Sequence, residues 1–297
     1  MNRVLEQLGY GPDDRVVIVH ADDIGMCQAT LLAFAGLLDA GLVSSGAVMV
    51  PCPWFPSAAA FCREHPDVDV GIHLTLTCEW TTYRWGPVST RDPASGLLDE
   101  EGYLPRSTQE IERRGVPEAV AFELRAQVDR AVRAGIDPTH VDTHMGSLAH
   151  PKFIDAYTGI AVEQRLPSML FRIDAAGARA HGADEATAAS LAQKARQLDE
   201  QGLVLFDDLV GMPLSEPGDR IAIAKQKFDS LRPGLTMFLL HPAVDTPELR
   251  AIAPDWRSRV ADYEAFSSSE LRDYVRDAGI HVIGYRILRD LIRDRQH

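Results

Sequence analysis

Val16-Val17-Ile18-Val19-His20-Ala21-Asp22-Asp23 is a short apolar run that ends in polar residues. It is followed by Gln28–Ala40, where apolar residues recur at helical spacing up to a stop at Gly41, so the whole reads as one strand–helix unit. The alternation continues through the 297 residues. Further strand-like runs lie at 45–50, 70–76, 140–144, 168–173, 203–206, 236–241 and 281–285, each before a segment able to form a helix. Pro117–Arg133, ahead of Gly135, is the second well-marked helix. Repeated βα units imply a mainly parallel sheet. Seven or eight strands suit a closed barrel better than a small open sheet, so the expected fold class is α/β: a (β/α) barrel, TIM-barrel-like but irregular.

Composition is that of an ordinary globular chain, 45% hydrophobic and 25% charged. No linker, composition shift or fixed-period repeat divides it, so residues 1–297 are expected to form a single domain. The formal charge of −13 and the lack of a Lys/Arg-rich run argue against a nucleic-acid or acidic-membrane partner. The first residues lack a basic segment followed by an apolar core, and no run of about 18 apolar residues occurs, so a cytoplasmic location is expected. Cys27, Cys52, Cys62 and Cys78 form no C-x-x-C pair and are expected to be reduced and buried.

Two stretches read as long loops, at about 78–116 and 243–263. The first carries Trp80, Tyr83, Trp85 and Tyr103, the second Trp256. Exposed rings beside a polar site suit a sugar, whose C–H faces pack on aromatic surfaces; the plainer reading is that the rings pin the loops.

Asp22 and Asp23 follow the first strand, His73 lies in the third, His140 and His144 flank Asp142 in the fourth, and His241 ends the run 236–241. In a β/α barrel the carboxyl ends of the strands converge on the face that holds active sites, so these residues can meet there. Singly, each has a structural explanation: Asp22 or Asp23 as a helix cap, His73 as a hydrogen-bonded core histidine, His140 and His144 as a polar ladder, His241 as a strand end. Several such coincidences at equivalent strand ends are far rarer than one. One carboxylate and two imidazoles make a three-ligand set for a divalent ion, with positions left open for water and substrate. Adjacent aspartates allow one to face the ion and the other the water. Asp142, in step with His140 and His144 at the strand period of two, is placed to orient an imidazole.

At these residues the chain resembles the YdjC-like carbohydrate deacetylases, distant relatives of the NodB-type polysaccharide deacetylases. The matching pieces are His20-Ala21-Asp22-Asp23-Ile24-Gly25, Gly71-Ile72-His73-Leu74-Thr75-Leu76, Pro138-Thr139-His140-Val141-Asp142-Thr143-His144 and His241-Pro242, in the family's order. The resemblance implies that Asp23, His73 and His144 bind one divalent metal, zinc first and magnesium or another transition ion next. It implies Asp22 as general base and His241 as general acid in removing an N-acetyl group from an amino sugar or short oligosaccharide. It also implies an arginine near the site, at Arg172; Asp142 and His140 on the fourth strand and Trp80 and Trp85 on the loop are further candidates to support the ligands or contact the substrate. The chain departs from the family pattern at His20, where Asn is usual, and at Gly146, where a second histidine is usual. A metal-dependent amidase or esterase acting on a non-sugar acyl compound is the alternative within hydrolases; a non-catalytic carbohydrate-binding relative is the alternative outside them. Paired subunits are common among soluble enzymes, and a homodimer is expected from that frequency alone.

Overall fold

In a computed structural model describing residues 2–180, 184–215 and 217–294, the opening run forms β1, Arg15–Ile24. Its side chains alternate between two apolar surroundings, as the period of two requires. Val16 and Ile18 point into a cluster with Phe206, Leu235 and Met237 inside the barrel, while Val17, Val19 and Ala21 pack outward with Phe34, Leu37 and Leu124 of the covering helices. His20 and Asp22 continue the inward series, so the polar residues stand on an apolar floor.

Among the described residues seven strands pair, all in parallel. They are β1, β2 (Ser45–Val48), β3 (Val70–Leu74), β4 (Val141–Thr143), β5 (Asp208–Gly211), β6 (Gly234–Leu240) and β7 (His281–Val282). The order is β4-β3-β2-β1-β6-β5, with β7 paired to β1 at Val16 and Val17. The helices Gln28–Ala40 and Pro117–Arg133 form with the expected bounds. This is the irregular β/α barrel expected.

Four readings are corrected. Residues 168–173 and 203–206 are not regular strands; they contribute isolated bridges, Val141 to Ser168 and Phe171 to Phe206, and the regular strand begins at Asp208. The cause is a tight turn: the Leu170 N–H donates to Ser168 O at 2.8 Å, so the pleat breaks after one bridge to β4 and resumes against Phe206. The run 281–285 stops being extended at Val282, and Tyr285 opens the helix Tyr285–Asp294. The segment 243–263 is largely helical, with Pro247–Ile252 and Trp256–Phe266. Thr246 caps the first of these by accepting from the Leu249 N–H, ahead of a proline at the first helical position. The segment 78–116 holds the helix Thr108–Arg114 and turns its two tryptophans inward, Trp80 5% and Trp85 2% exposed, while Tyr103 stays exposed. Buried Glu123 accepts from the N–H groups of Val88 and Ser89 and holds this segment down. Cys27, Cys52 and Cys78 are buried and Cys62 partly so, all as free thiols.

Candidate active site

The site begins with a break in β1. Regular alternation would put Asp22 inside the barrel and Asp23 outside. The register with β2 shifts between Ala21 and Ile24, and Asp23 takes a left-handed backbone with φ of 64°. Such bulges re-aim side chains, and the conformation costs a non-glycine residue about 1–3 kcal/mol. The result is that both carboxylates reach the mouth of the barrel.

Asp23 meets two imidazoles there. Its Oδ1 lies 3.5 Å from His73 Nε2 and 3.2 Å from His144 Nδ1, and those two nitrogens are 3.3 Å apart. This is the spacing of three ligands around one ion at about 2.1 Å from each. Asp23 Oδ1 is buried and makes no hydrogen bond within the protein, which leaves its lone pairs for a cation. The donor set therefore fits the divalent ion that the sequence motif implies.

The groups behind the triangle hold it in place. A carboxylate can only accept, so His73 donates through Nδ1 to Asp142 Oδ1 at 2.8 Å, leaving Nε2 facing Asp23. His20 Nε2 is 2.8 Å from the other Asp142 oxygen and 3.1 Å from Asp22 Oδ1. His144 Nε2 donates to Glu79 Oε2 at 3.0 Å. Arg259, from the helix Trp256–Phe266, donates through Nη1 to Asp23 Oδ2 at 2.7 Å and pairs with Asp255 at 2.9 Å. His241 follows β6; its Nε2 is 3.5 Å from Asp22 Oδ2, and its backbone N–H donates to buried Asp262 at 3.3 Å.

Charge follows from these contacts. Burial alone would raise the Asp23 pKa, but the Arg259 charge and the neighbouring imidazoles of His144 and His73 hold it well below the usual carboxylate range. Burial would lower the pKa values of both imidazoles. For His73 the charges of Asp142 and Asp22 reverse that, and for His144 the Glu79 charge and Asp23 push it up to about 9. A cation entering the triangle must displace those protons, so its binding weakens as pH falls. His241 goes the other way: burial lowers its pKa, and the charges of Asp22 and Asp23 only partly oppose that.

His20 gives a measurable consequence. Burial would lower its pKa, but the hydrogen bonds to Asp142 and Asp22, with their charges, raise it to about 9. A raised folded-state pKa means stability that is complete below the unfolded value of about 6.5 and lost as pH rises through 9. At 1.36 kcal/mol per pKa unit the contribution is on the order of 3 kcal/mol. In chelated protein, the stability advantage of the wild type over His20→Asn should shrink between pH 6 and pH 10, read by urea denaturation; a constant difference would refute the charge assignment.

Sequence reasoning placed Asp22, Asp23, His73, Asp142, His144 and His241 here, and the structure brings them together. Arg172 is not among them. It pairs with Asp199 at 2.9 Å and Asp207 at 3.2 Å, near Asn2 and the first residue of β6, at the opposite end of the barrel. The bridge at Phe171 pairs that segment with Phe206, level with the start of β6, which is why it cannot reach the mouth. The arginine at the site is Arg259. Its signal was the i,i+4 pair Asp255–Arg259 in a segment read as loop. His140 is a floor residue: wholly buried, its ring stacked on Tyr285 with centroids 3.7 Å apart, and so close to β3 that a Cβ on Gly71 would lie 2.4 Å from its Nε2. Trp80 and Trp85 back the site rather than offer a platform, Trp85 edge-on to His144 and Trp80 beneath Arg259. Glu79 and Asp262 were also missed, because nothing local marks an acid whose partner is distant in the chain.

The fold and these side chains define the class: a β/α barrel with ionisable residues gathered at the carboxyl ends of its strands and one carboxylate and two imidazoles set to hold a cation. The chain belongs to the YdjC-like protein family, whose model matches residues 16–277. It is 34% identical over 292 residues to a carbohydrate deacetylase of Thermus thermophilus, covering 97% of this chain and 99% of that protein. A carbohydrate deacetylase of Thermoanaerobacter pseudethanolicus is 24% identical over 275 residues, covering 93% and 100%. Among solved structures, a putative cellobiose-phosphate cleavage protein from Enterococcus faecalis superimposes with a TM-score of 0.77 at 22% identity, over 93% of this chain and 99% of that one; this is a likeness of fold. No helix among the described residues is long and apolar enough to cross a membrane.

Proposed function

We propose that this protein is a metal-dependent hydrolase that removes the N-acetyl group from an amino sugar or short oligosaccharide. The observation that carries the reading is the meeting of Asp23 Oδ1, His73 Nε2 and His144 Nδ1 beside a free carboxylate, Asp22, and a third imidazole, His241. The carbohydrate deacetylase of nearly equal length supports the substrate class. So does a cavity of about 350 Å³ beside the site, lined by Glu79, Trp80, Thr81, Thr82 and Trp256, which offers the partly exposed Trp256 ring and hydrogen-bonding groups.

Asp23, His73 and His144 would hold the ion, zinc first. When bound it supplies Lewis acidity, polarising the acyl oxygen and acidifying water. Asp22 stands outside the triangle, its Oδ1 3.1 Å from His20 Nε2, and takes the proton of the attacking water. His241, its pKa lowered by burial, starts uncharged; its Nε2, 3.5 Å from Asp22, takes up that proton and delivers it to the amine nitrogen as the C–N bond breaks. Asp262 fixes the His241 backbone for this transfer.

The test is acetate release from a panel of N-acetylated mono- and oligosaccharides, with chelated and zinc-restored protein side by side. Release that appears only with the ion is expected. No release from any sugar, by protein holding one ion per chain, would move the reading to another acyl substrate; no bound ion would remove the metal centre.

A further inference from the structure

Imidazole has two nitrogens, and the one that carries hydrogen decides which can face a cation. At His73 the donor to the triangle is Nε2, and the carboxylate taking the Nδ1 hydrogen is Asp142, wholly buried and also held by His20. At His144 the arrangement is reversed. Nδ1 faces Asp23 and His73, so the hydrogen must sit on Nε2, and its acceptor is Glu79 Oε2 at 3.0 Å. Glu79 differs from Asp142 in exposure: its side chain is 23% exposed, and it lines the cavity with Thr81, Thr82 and Trp256.

We infer that Glu79 is a positioning residue that sets the His144 tautomer, making Nδ1 the metal donor from the wall of the substrate cavity. This rests on the cation site proposed above. Without Glu79 the ring loses the acceptor that holds hydrogen on Nε2, and the tautomer with hydrogen on Nδ1, which cannot ligate through that atom, gains population. Partners of metal-bound histidines change affinity by about 10–100-fold when removed. Because Glu79 is partly solvated and lies at the rim, its loss should leave the fold intact.

The experiment is equilibrium competition for zinc between the protein and a fluorescent chelator, for wild type, Glu79→Ala and Glu79→Gln, with urea denaturation of each chelated protein. The expected result is zinc binding weakened about 10–100-fold in Glu79→Ala and a smaller loss in Glu79→Gln because the amide oxygen can still accept, with the two chelated variants equally stable since both lose the same charge beside His144. Nitrogen-15 spectra of the zinc-loaded wild type should show His144 protonated at Nε2. Wild-type affinity in Glu79→Ala, or an equal weakening in Glu79→Ala and Glu79→Gln, would overturn the inference while leaving the cation site standing. A wild type that binds no zinc would overturn both.

Discussion

Asp22→Asn is expected to keep one divalent ion per chain and to turn over the proposed sugar substrate about 10²–10⁴-fold more slowly. The two halves of this result come from two different positions on one bulge. Asp22 is no part of the donor triangle; its oxygens lie 3.1 Å from His20 Nε2 and 3.5 Å from His241 Nε2. Asparagine has the same shape and fills the same space, so the ion and the bound sugar should stay, and the loss should fall on kcat with KM little changed. What disappears is a group that accepts a proton from water. Metal content and initial rates on the same preparation check both halves. Full activity would move the base to another side chain, and loss of the ion would move Asp22 into the ligand set. Asp23→Asn should behave differently, weakening the ion itself, because that oxygen faces both imidazoles at 3.2 and 3.5 Å.

The contrast between these neighbours also marks how far the residues alone could be read. His20 and Asp22 follow Val16 and Ile18 at the strand period, and His140, Asp142 and His144 follow one another likewise, so their inward direction was visible in the order of residue types. Asp23 breaks that period and reaches the mouth only through its left-handed backbone, a feature no alternation announces. The strand near 168–173 was marked by its composition, but the turn at Ser168–Leu170 that divides it is a matter of local hydrogen bonding. Partners set by tertiary packing were the hardest to see. Glu79 finds His144 at a separation of 65 residues and Arg259 finds Asp23 at 236. The lack of periodicity left the tryptophans either exposed or pinning their segment, and it is the second that holds, with Glu123 and the core drawing the segment inward.

Arg259→Met should destabilise the chelated protein by about 3–5 kcal/mol, the cost of leaving a buried charge without its partner. Arg259 is 2% exposed and Asp23 1%, so neither can turn to water when the other is lost. Methionine retains the apolar stem, while the guanidinium, which lies over the Trp80 ring 5.6 Å from its centroid, is lost together with the ion pair. Asp255, the second partner of Arg259, has a side chain 19% exposed and can be solvated, so the penalty rests chiefly on Asp23. A divalent ion in the triangle places positive charge on that same carboxylate. With saturating zinc the loss should therefore shrink, and linkage then requires the variant to bind zinc more tightly by the corresponding factor, about 5–150-fold for a coupling of 1–3 kcal/mol. Urea denaturation with chelator and with zinc, together with the competition titration, measures both sides of that cycle. An equal loss in the two conditions would mean that the ion and the guanidinium do not share Asp23. A smaller loss with zinc would show that this arginine holds the empty site together and yields part of its role to the metal.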